Sequence, residues 1–151
     1  MTVKPCVIFD VDGTLAAFDP DQVGHWVLGE EKQWDPFFAA MAEAEVNADL
    51  QRLAQMLHAQ QQAIVICSGR PDSHRAHTEA WLTRHNIPFV AAYLRPDEED
   101  HVPDEEVKAR LLQRMRDDGY QPWLVIDDRQ AVVDFWRQAG LTCLQCAPGD
   151  F

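Results

Sequence analysis

Five short apolar runs recur along the chain, at 6–9, 63–67, 88–94, 123–126 and 141–146. Between them lie segments whose apolar residues follow a helical period. Asn47 can cap a helix over 47–61, with Leu50, Leu53, Ala54 and Leu57 on one face. Residues 71–86 read as a helix with Pro71 near its start. Residues 104–118 carry Val107, Leu111, Leu112 and Met115 on one face and stop at Gly119. Residues 130–139 form a last helix, closed by Gly140. Strands that are apolar throughout, rather than alternating, are covered on both faces. Strands and helices taken in turn therefore predict an α/β fold of three layers, with helices on either side of a central parallel five-stranded sheet.

In such sheets ligands bind beyond the carboxyl ends of the strands. Polar residues gather at those ends: Asp10 after the first run, Ser68 after the second and Asp127 after the fourth. Two segments interrupt the rhythm. Residues 17–46 carry Trp26, Trp34, Phe37 and Phe38 among charges, with a helical stretch at 35–45. They form either a small cap over the site or aromatic packing on the sheet. Residues 95–103 are an acidic loop with two prolines, expected at the mouth of the cleft. The whole chain, 1–151, is read as one domain with a minimal cap-like insertion at 17–46.

The strongest chemical signal is Phe9-Asp10-Val11-Asp12-Gly13-Thr14. Two carboxylates two residues apart, on a turn after a buried strand, repel each other in a partly dry cleft. A divalent cation removes that penalty, and Mg²⁺ binds through one or two carboxylates plus substrate phosphate. Gly13 permits the turn, and Thr14 can bond to backbone or phosphate. Ile66-Cys67-Ser68-Gly69-Arg70 offers a hydroxyl, backbone N–H groups and a guanidinium, a set that suits a phosphate. Asp127-Asp128-Arg129 again suggests a metal. Lys108, near the start of a helix, is the least distinctive of these residues.

Composition changes the picture in two places. The formal net charge of −12 argues against loose, non-specific binding to nucleic acid. It leaves a nucleic-acid end open as a substrate, because a metal and a few arginines can make one cleft locally positive. The chain opens directly on a strand-like run and has no apolar stretch of bilayer length, so a cytoplasmic protein with reduced cysteines is expected. Cys143 and Cys146 have CxxC spacing, but in a strand residues three apart point to opposite faces, which disfavours a zinc or redox pair.

Taken in order and spacing, Asp10–Thr14, Ser68, Lys108 and Asp127–Asp128 resemble the four motifs of the haloacid-dehalogenase-like (HAD) phosphatases. VIFDVDGTLA, ICSGRPD, VIDDRQAVVDFWRQAGLTC and the closing APGDF are more closely similar to the 3′-phosphatase domain of phage polynucleotide kinase/phosphatases. The resemblance implies a Rossmann-like HAD fold and a phosphomonoesterase that works through an aspartyl-phosphate. It implies Asp10 as nucleophile and Asp12 as general acid and base. Ser68 and Lys108 would stabilise the transferring group, with Thr14, Gly69 and Arg70 on the substrate. Mg²⁺ would be held by Asp10, Asp12, Asp127 and Asp128. The expected partner is a phosphorylated substrate, a short nucleic acid or a nucleotide 3′-phosphate, with no membrane and no obligate protein partner. No GxxxxGK[ST] loop is present, so no kinase activity is expected of these residues. Residues 97–104 depart from the resemblance. They are acidic, with Val102 where an arginine is expected, so a long strand should find few contacts there. The alternatives are a phosphatase for small metabolites and a binding module without catalysis.

Overall fold

The computed structural model describes residues 3–29 and 31–151. Five strands, β1 (Lys4–Phe9), β2 (Ala63–Pro71), β3 (Ala91–Arg95), β4 (Tyr120–Asp127) and β5 (Thr142–Gln145), form one sheet in the order β3-β2-β1-β4-β5. All neighbouring pairs are parallel. Helices flank the sheet: α1 (Pro20–Val23), α2 (Trp34–Met41), α3 (Ala48–Ala59), α4 (Arg75–Arg84), α5 (Asp104–Asp117) and α6 (Gln130–Gln138). The expected three-layer α/β architecture is therefore the observed one.

Successive residues of each strand serve opposite faces. Cys6 and Ile8 join Val65, Cys67, Val125 and Cys143 in a core under α5 and α6. Val7 and Phe9 join Ile64 and Ile66 in a second core with Phe37, Phe38, Trp81 and Leu82. This double burial is why the strands read as unbroken apolar runs. Cys143 lies in the first core and Cys146 packs on the second, so the CxxC pair is split by the sheet.

Local signals set most helix ends. Asn47 caps α3 by accepting from the backbone N–H groups of Asp49 and Leu50. α5 follows Pro103 and carries Asp104, Glu105 and Glu106 in its first turn and Arg114 and Arg116 in its last, matching the helix dipole. Two boundaries differ from the sequence reading. Pro71 sits at φ −75° and ψ 151° and pairs with Arg95, so it closes β2 instead of opening a helix. A 3₁₀ turn at Asp72–His74 intervenes before α4. Residues 88–90 precede β3, whose first rung follows the Val90 N–H bond to Ile64 O; Pro88 has no N–H to offer a ladder.

The insertion leaves and rejoins the body at one point. Ala17 N–H donates to Glu45 O and Asn47 N–H to Leu15 O. Within it Phe37, Phe38 and Met41 are buried against the sheet, while Phe18 and Trp34 face the cleft. The expected helix at 35–45 is the shorter α2, which stops at Met41.

Candidate active site

The parallel register brings the motif residues together. Phe9 pairs with Ile66 on one side and Ile126 on the other. Asp10 directly follows β1, Asp127 ends β4, and Ser68 lies two residues after Ile66 in β2. Asp10, Asp127 and Asp128 form a buried cluster whose ligand atoms lie within 4.8 Å of one another. Lys108, from the first half of α5, reaches between them. Its Nζ donates to Asp10 Oδ1 at 3.1 Å and to Asp127 Oδ2 at 2.9 Å. Burial alone would lower the Lys108 pKa, but Asp10 and Asp127 outweigh it and hold the ammonium form.

One ammonium faces three carboxylates, so two negative charges remain without a protein counterion in the cluster. The strain shows in the acids. Burial, then the charge of Asp127, pushes Asp10 well above its ordinary value, only partly offset by Lys108. The same two causes push Asp128 up to about 6. All donors are hard oxygens, and the missing charge is that of one divalent cation, so the residues fit such an ion.

The turn after β1 is shaped around this cluster. Gly13 has φ +84°, and a Cβ there would lie 2.1 Å from Asp128 Oδ2. Both conformation and space therefore require glycine. Thr14 Oγ1 donates to Asp128 Oδ1 at 3.4 Å, tying the turn to the Asp127–Asp128 pair. The last residues brace the pair from behind. Cys146 N–H donates to Asp127 O, Gln145 Nε2 to Asp128 O, and a Cβ on Gly149 would strike Asp128 O at 2.1 Å.

Ser68 is buried, and its Oγ accepts from Arg70 N–H at 3.1 Å, which leaves its own proton to donate. Arg70, expected on the substrate, lines the cleft with its guanidinium against Asp12. Nε donates to Asp12 Oδ2 at 2.9 Å and the terminal nitrogen to Asp12 Oδ1 at 2.6 Å, a bidentate pair. The guanidinium lies over the Phe37 and Phe38 rings and also bonds Thr78. Asp12 is the partly exposed carboxylate of the motif, at the open side of the cleft.

Several residues escaped the sequence reading. Arg95, at the end of β3, is fully buried and bonds Gly69 O, Glu99 O, Val102 O and Asp104. Asp104 also takes Arg129 at 2.7 Å, and it lies one helical turn before Lys108. Burial opposes its ionisation, but Lys108, Arg129 and Arg95 outweigh that and lower its pKa. Gly69 fits closely here: a Cβ would stand 2.8 Å from Asp104 Oδ1. The usable signals were an arginine ending a buried strand and an acid at i−4 from Lys108. Val102 packs into the core beside α5, where the resemblance expects an arginine. Lys32, from the insertion, lines the cleft, with its pKa lowered by burial and by Arg95. Trp34 Nε1 donates to Asp100 Oδ1 at 2.8 Å, joining the insertion to the acidic loop.

A parallel sheet in this order, with an Asp-x-Asp turn, a buried lysine and an acidic pair at its carboxyl edge, is a HAD-like fold. More narrowly, the family model for the phosphatase domain of the polynucleotide kinase PNKP matches residues 4–151, and the chain belongs to that family. Among solved structures, a chain of the Pnkp1/Rnl/Hen1 complex superposes with a TM-score of 0.79 at 26% identity over 99% of this chain and 48% of that one. The chain thus spans about half the length of that relative. The class C acid phosphatase from Bacillus anthracis with tungstate bound matches at TM-score 0.68 and 20% identity, over 99% of this chain and 68% of that one. A hydrolase from Streptococcus pneumoniae TIGR4 shares the fold at TM-score 0.56 and 16% identity, over 98% and 95% of the two chains. Among the described residues no helix is long and apolar enough to cross a membrane.

Proposed function

We propose that this chain is a Mg²⁺-dependent phosphomonoesterase that removes 3′-phosphates from nucleic-acid ends or nucleotides through an aspartyl-phosphate on Asp10. The observation that carries the reading is the cluster of Asp10, Asp127 and Asp128 with a single lysine, set beside an Asp12 held by Arg70. In this reading the 151 residues act as one domain, and 17–46 is its cap.

Asp10, Asp127, Asp128 and the main-chain carbonyl of Asp12 would hold the cation, whose charge offsets the repulsion between carboxylate and phosphate. Lys108 and the bound cation would together favour ionised Asp10, and Lys108 orients it through Oδ1, leaving Oδ2 for attack on phosphorus. Asp12 gives its proton to the departing 3′-alkoxide and then takes one from water for the second step. Arg70 fixes the direction of the Asp12 carboxylate by holding both oxygens. The Ser68 hydroxyl, the Gly69 N–H and Lys108 face the equatorial oxygens.

The family supports the 3′-phosphate substrate, and the acidic lip limits its length. Asp97, Glu98, Glu99 and Asp100 offer a strand few contacts, so few counterions are released on binding. The test is hydrolysis of 3′-phosphorylated oligonucleotides, mononucleotides and sugar phosphates with Mg²⁺, with trapping of a labelled phosphoenzyme. The 3′-phosphates should lead, with kcat/KM nearly flat against strand length at two salt concentrations. Rapid turnover of a sugar phosphate with poor turnover of every 3′-phosphate would replace this substrate class with small metabolites. That the relative occurs in an RNA repair complex with Rnl and Hen1 supports a nucleic-acid end as the substrate.

A further inference from the structure

Asp127 accepts a third side-chain or main-chain donor that the phosphatase reading does not use. Trp136, on α6, is fully buried and is the largest such side chain in the described structure. Its indole Nε1 donates to Asp127 Oδ2 at 3.1 Å. A buried indole N–H needs an acceptor, but any nearby carbonyl would serve; Trp81 uses Ala44 O in that way. Trp136 bonds a carboxylate oxygen of the acidic cluster.

The consequence follows from counting acceptor sites. Each carboxylate oxygen offers about two lone-pair positions. Asp127 Oδ2 takes Lys108 Nζ at 2.9 Å and Trp136 Nε1, so both of its positions are filled. Oδ1 takes only the Asp128 N–H at 2.8 Å and retains one. The three donors fix the rotation of the carboxylate and keep one oxygen, Oδ1, with capacity for a cation. The α6 helix that carries Trp136 begins three residues after Asp127, so ligand and support are set by one stretch of chain.

We infer that Trp136 is a positioning residue for the metal site, which makes Asp127 a one-oxygen ligand by occupying Oδ2. This rests on the proposed divalent-cation site. Partners of this kind set metal affinity by roughly 10–100-fold when removed.

The test is direct metal binding, measured by calorimetry with Mg²⁺ and by electron paramagnetic resonance with Mn²⁺, on the whole chain without substrate. Trp136→Phe keeps a ring and removes the donor. Val133→Ala, on the same helix and in the same core, loosens packing and leaves the donor. Trp136→Phe should weaken both ions by at least about tenfold, while Val133→Ala binds them as the parent does. Equal weakening in the two variants would reduce Trp136 to packing and overturn the inference, as would parent-like affinity in Trp136→Phe. If the parent chain binds neither ion, the metal reading itself fails and this inference with it. If Trp136→Phe does not fold, the indole N–H resonances of ¹⁵N-labelled parent protein decide. The Trp136 signal should shift with saturating Mg²⁺ and that of Trp81 should not; a Trp136 signal that ignores Mg²⁺ overturns the proposal.

Discussion

The cleft has a charged floor and an aromatic roof. In the floor, Asp10, Lys108, Asp127 and Asp128 sit at the ends of two central strands and on the helix behind them, all nearly sealed from water. Their side chains point at one another, and the backbone that carries them is braced from several sides. In the roof, Phe18, Trp34 and Phe37 come from an insertion held by the core packing of Phe37, Phe38 and Met41 and by bonds to the body: the joint at Ala17 and Asn47, Trp34 to Asp100, Trp81 to Ala44 O, Arg84 to Ala42 O, and the exposed Asp35–His74 pair at 3.0 Å. The floor stores electrostatic tension that a cation can relieve. The roof contributes apolar area and shape. Chemistry should therefore depend on the floor, and access and affinity on the roof.

The largest expected effects lie in the floor. Asp10→Asn should bring turnover to background with the fold intact, because an amide does not attack phosphorus usefully; steady-state rates alongside circular dichroism check this. Asp12→Asn should slow hydrolysis of a 3′-phosphate by ~10²–10⁴-fold. The loss should be much smaller with p-nitrophenyl phosphate, whose leaving group needs no proton. Equal losses on both substrates would remove Asp12 from the acid role. Excess EDTA should abolish activity and Mg²⁺ restore it, and full activity in EDTA would break the argument from uncompensated charge.

Roof substitutions should act differently. Trp34→Ala removes the bond to Asp100, worth about 1 kcal/mol, and should raise KM roughly fivefold while kcat changes little. A kcat loss as deep as that of Asp12→Asn would mean that the roof takes part in the chemistry. Phe37→Ala is a different case, since its ring is buried beneath Arg70 and in the core. It should cost about 3–5 kcal/mol of stability, read from denaturant unfolding.

A pH series sharpens the contrast. Burial and Asp127 raise the Asp128 pKa from 3.8 to about 6 in the folded, metal-free chain. The folded state therefore binds this proton more tightly than the unfolded state does. The stability it contributes is complete below about pH 4 and lost as pH rises through about 6, on the order of 3 kcal/mol. Asp10 is shifted in the same direction and adds to the effect. Thermal midpoints in EDTA should fall between pH 4.5 and 7, Mg²⁺ should restore the loss at the upper end, and Asp128→Asn should flatten the curve. A midpoint that climbs steadily over this range in EDTA would contradict the strained cluster. The smallest effect concerns the thiols. Burial pushes Cys6, Cys67 and Cys143 up to about 12 and Cys146 to about 11. At pH 8 a thiol reagent should label none of them quickly until the chain is unfolded.

Much of the floor was legible in the sequence because its information is local. An apolar run that ends in Asp10-Val11-Asp12-Gly13 states both the strand and the turn, and the Gly13 backbone shows why no other residue fits. Asp127-Asp128 and Ser68 were found by the same rule, a polar residue where a buried strand stops. The five strands followed from unbroken apolar runs and the main helices from their period, with misplaced ends where a proline could serve either element, as at Pro71. The roof was legible only as a choice between a cap and aromatic packing on the sheet, and the pairings across the cleft were not legible. Arg70 and Asp12 lie 58 positions apart, Trp34 and Asp100 66, and no local pattern says that this guanidinium will pair with that carboxylate. Nor does a period reveal that Arg95 is buried, or that Trp136 spends its only donor on Asp127. Those choices belong to the tertiary structure, because a buried donor or charge must take whichever partner the packed chain brings within reach, and that partner is set by the whole fold.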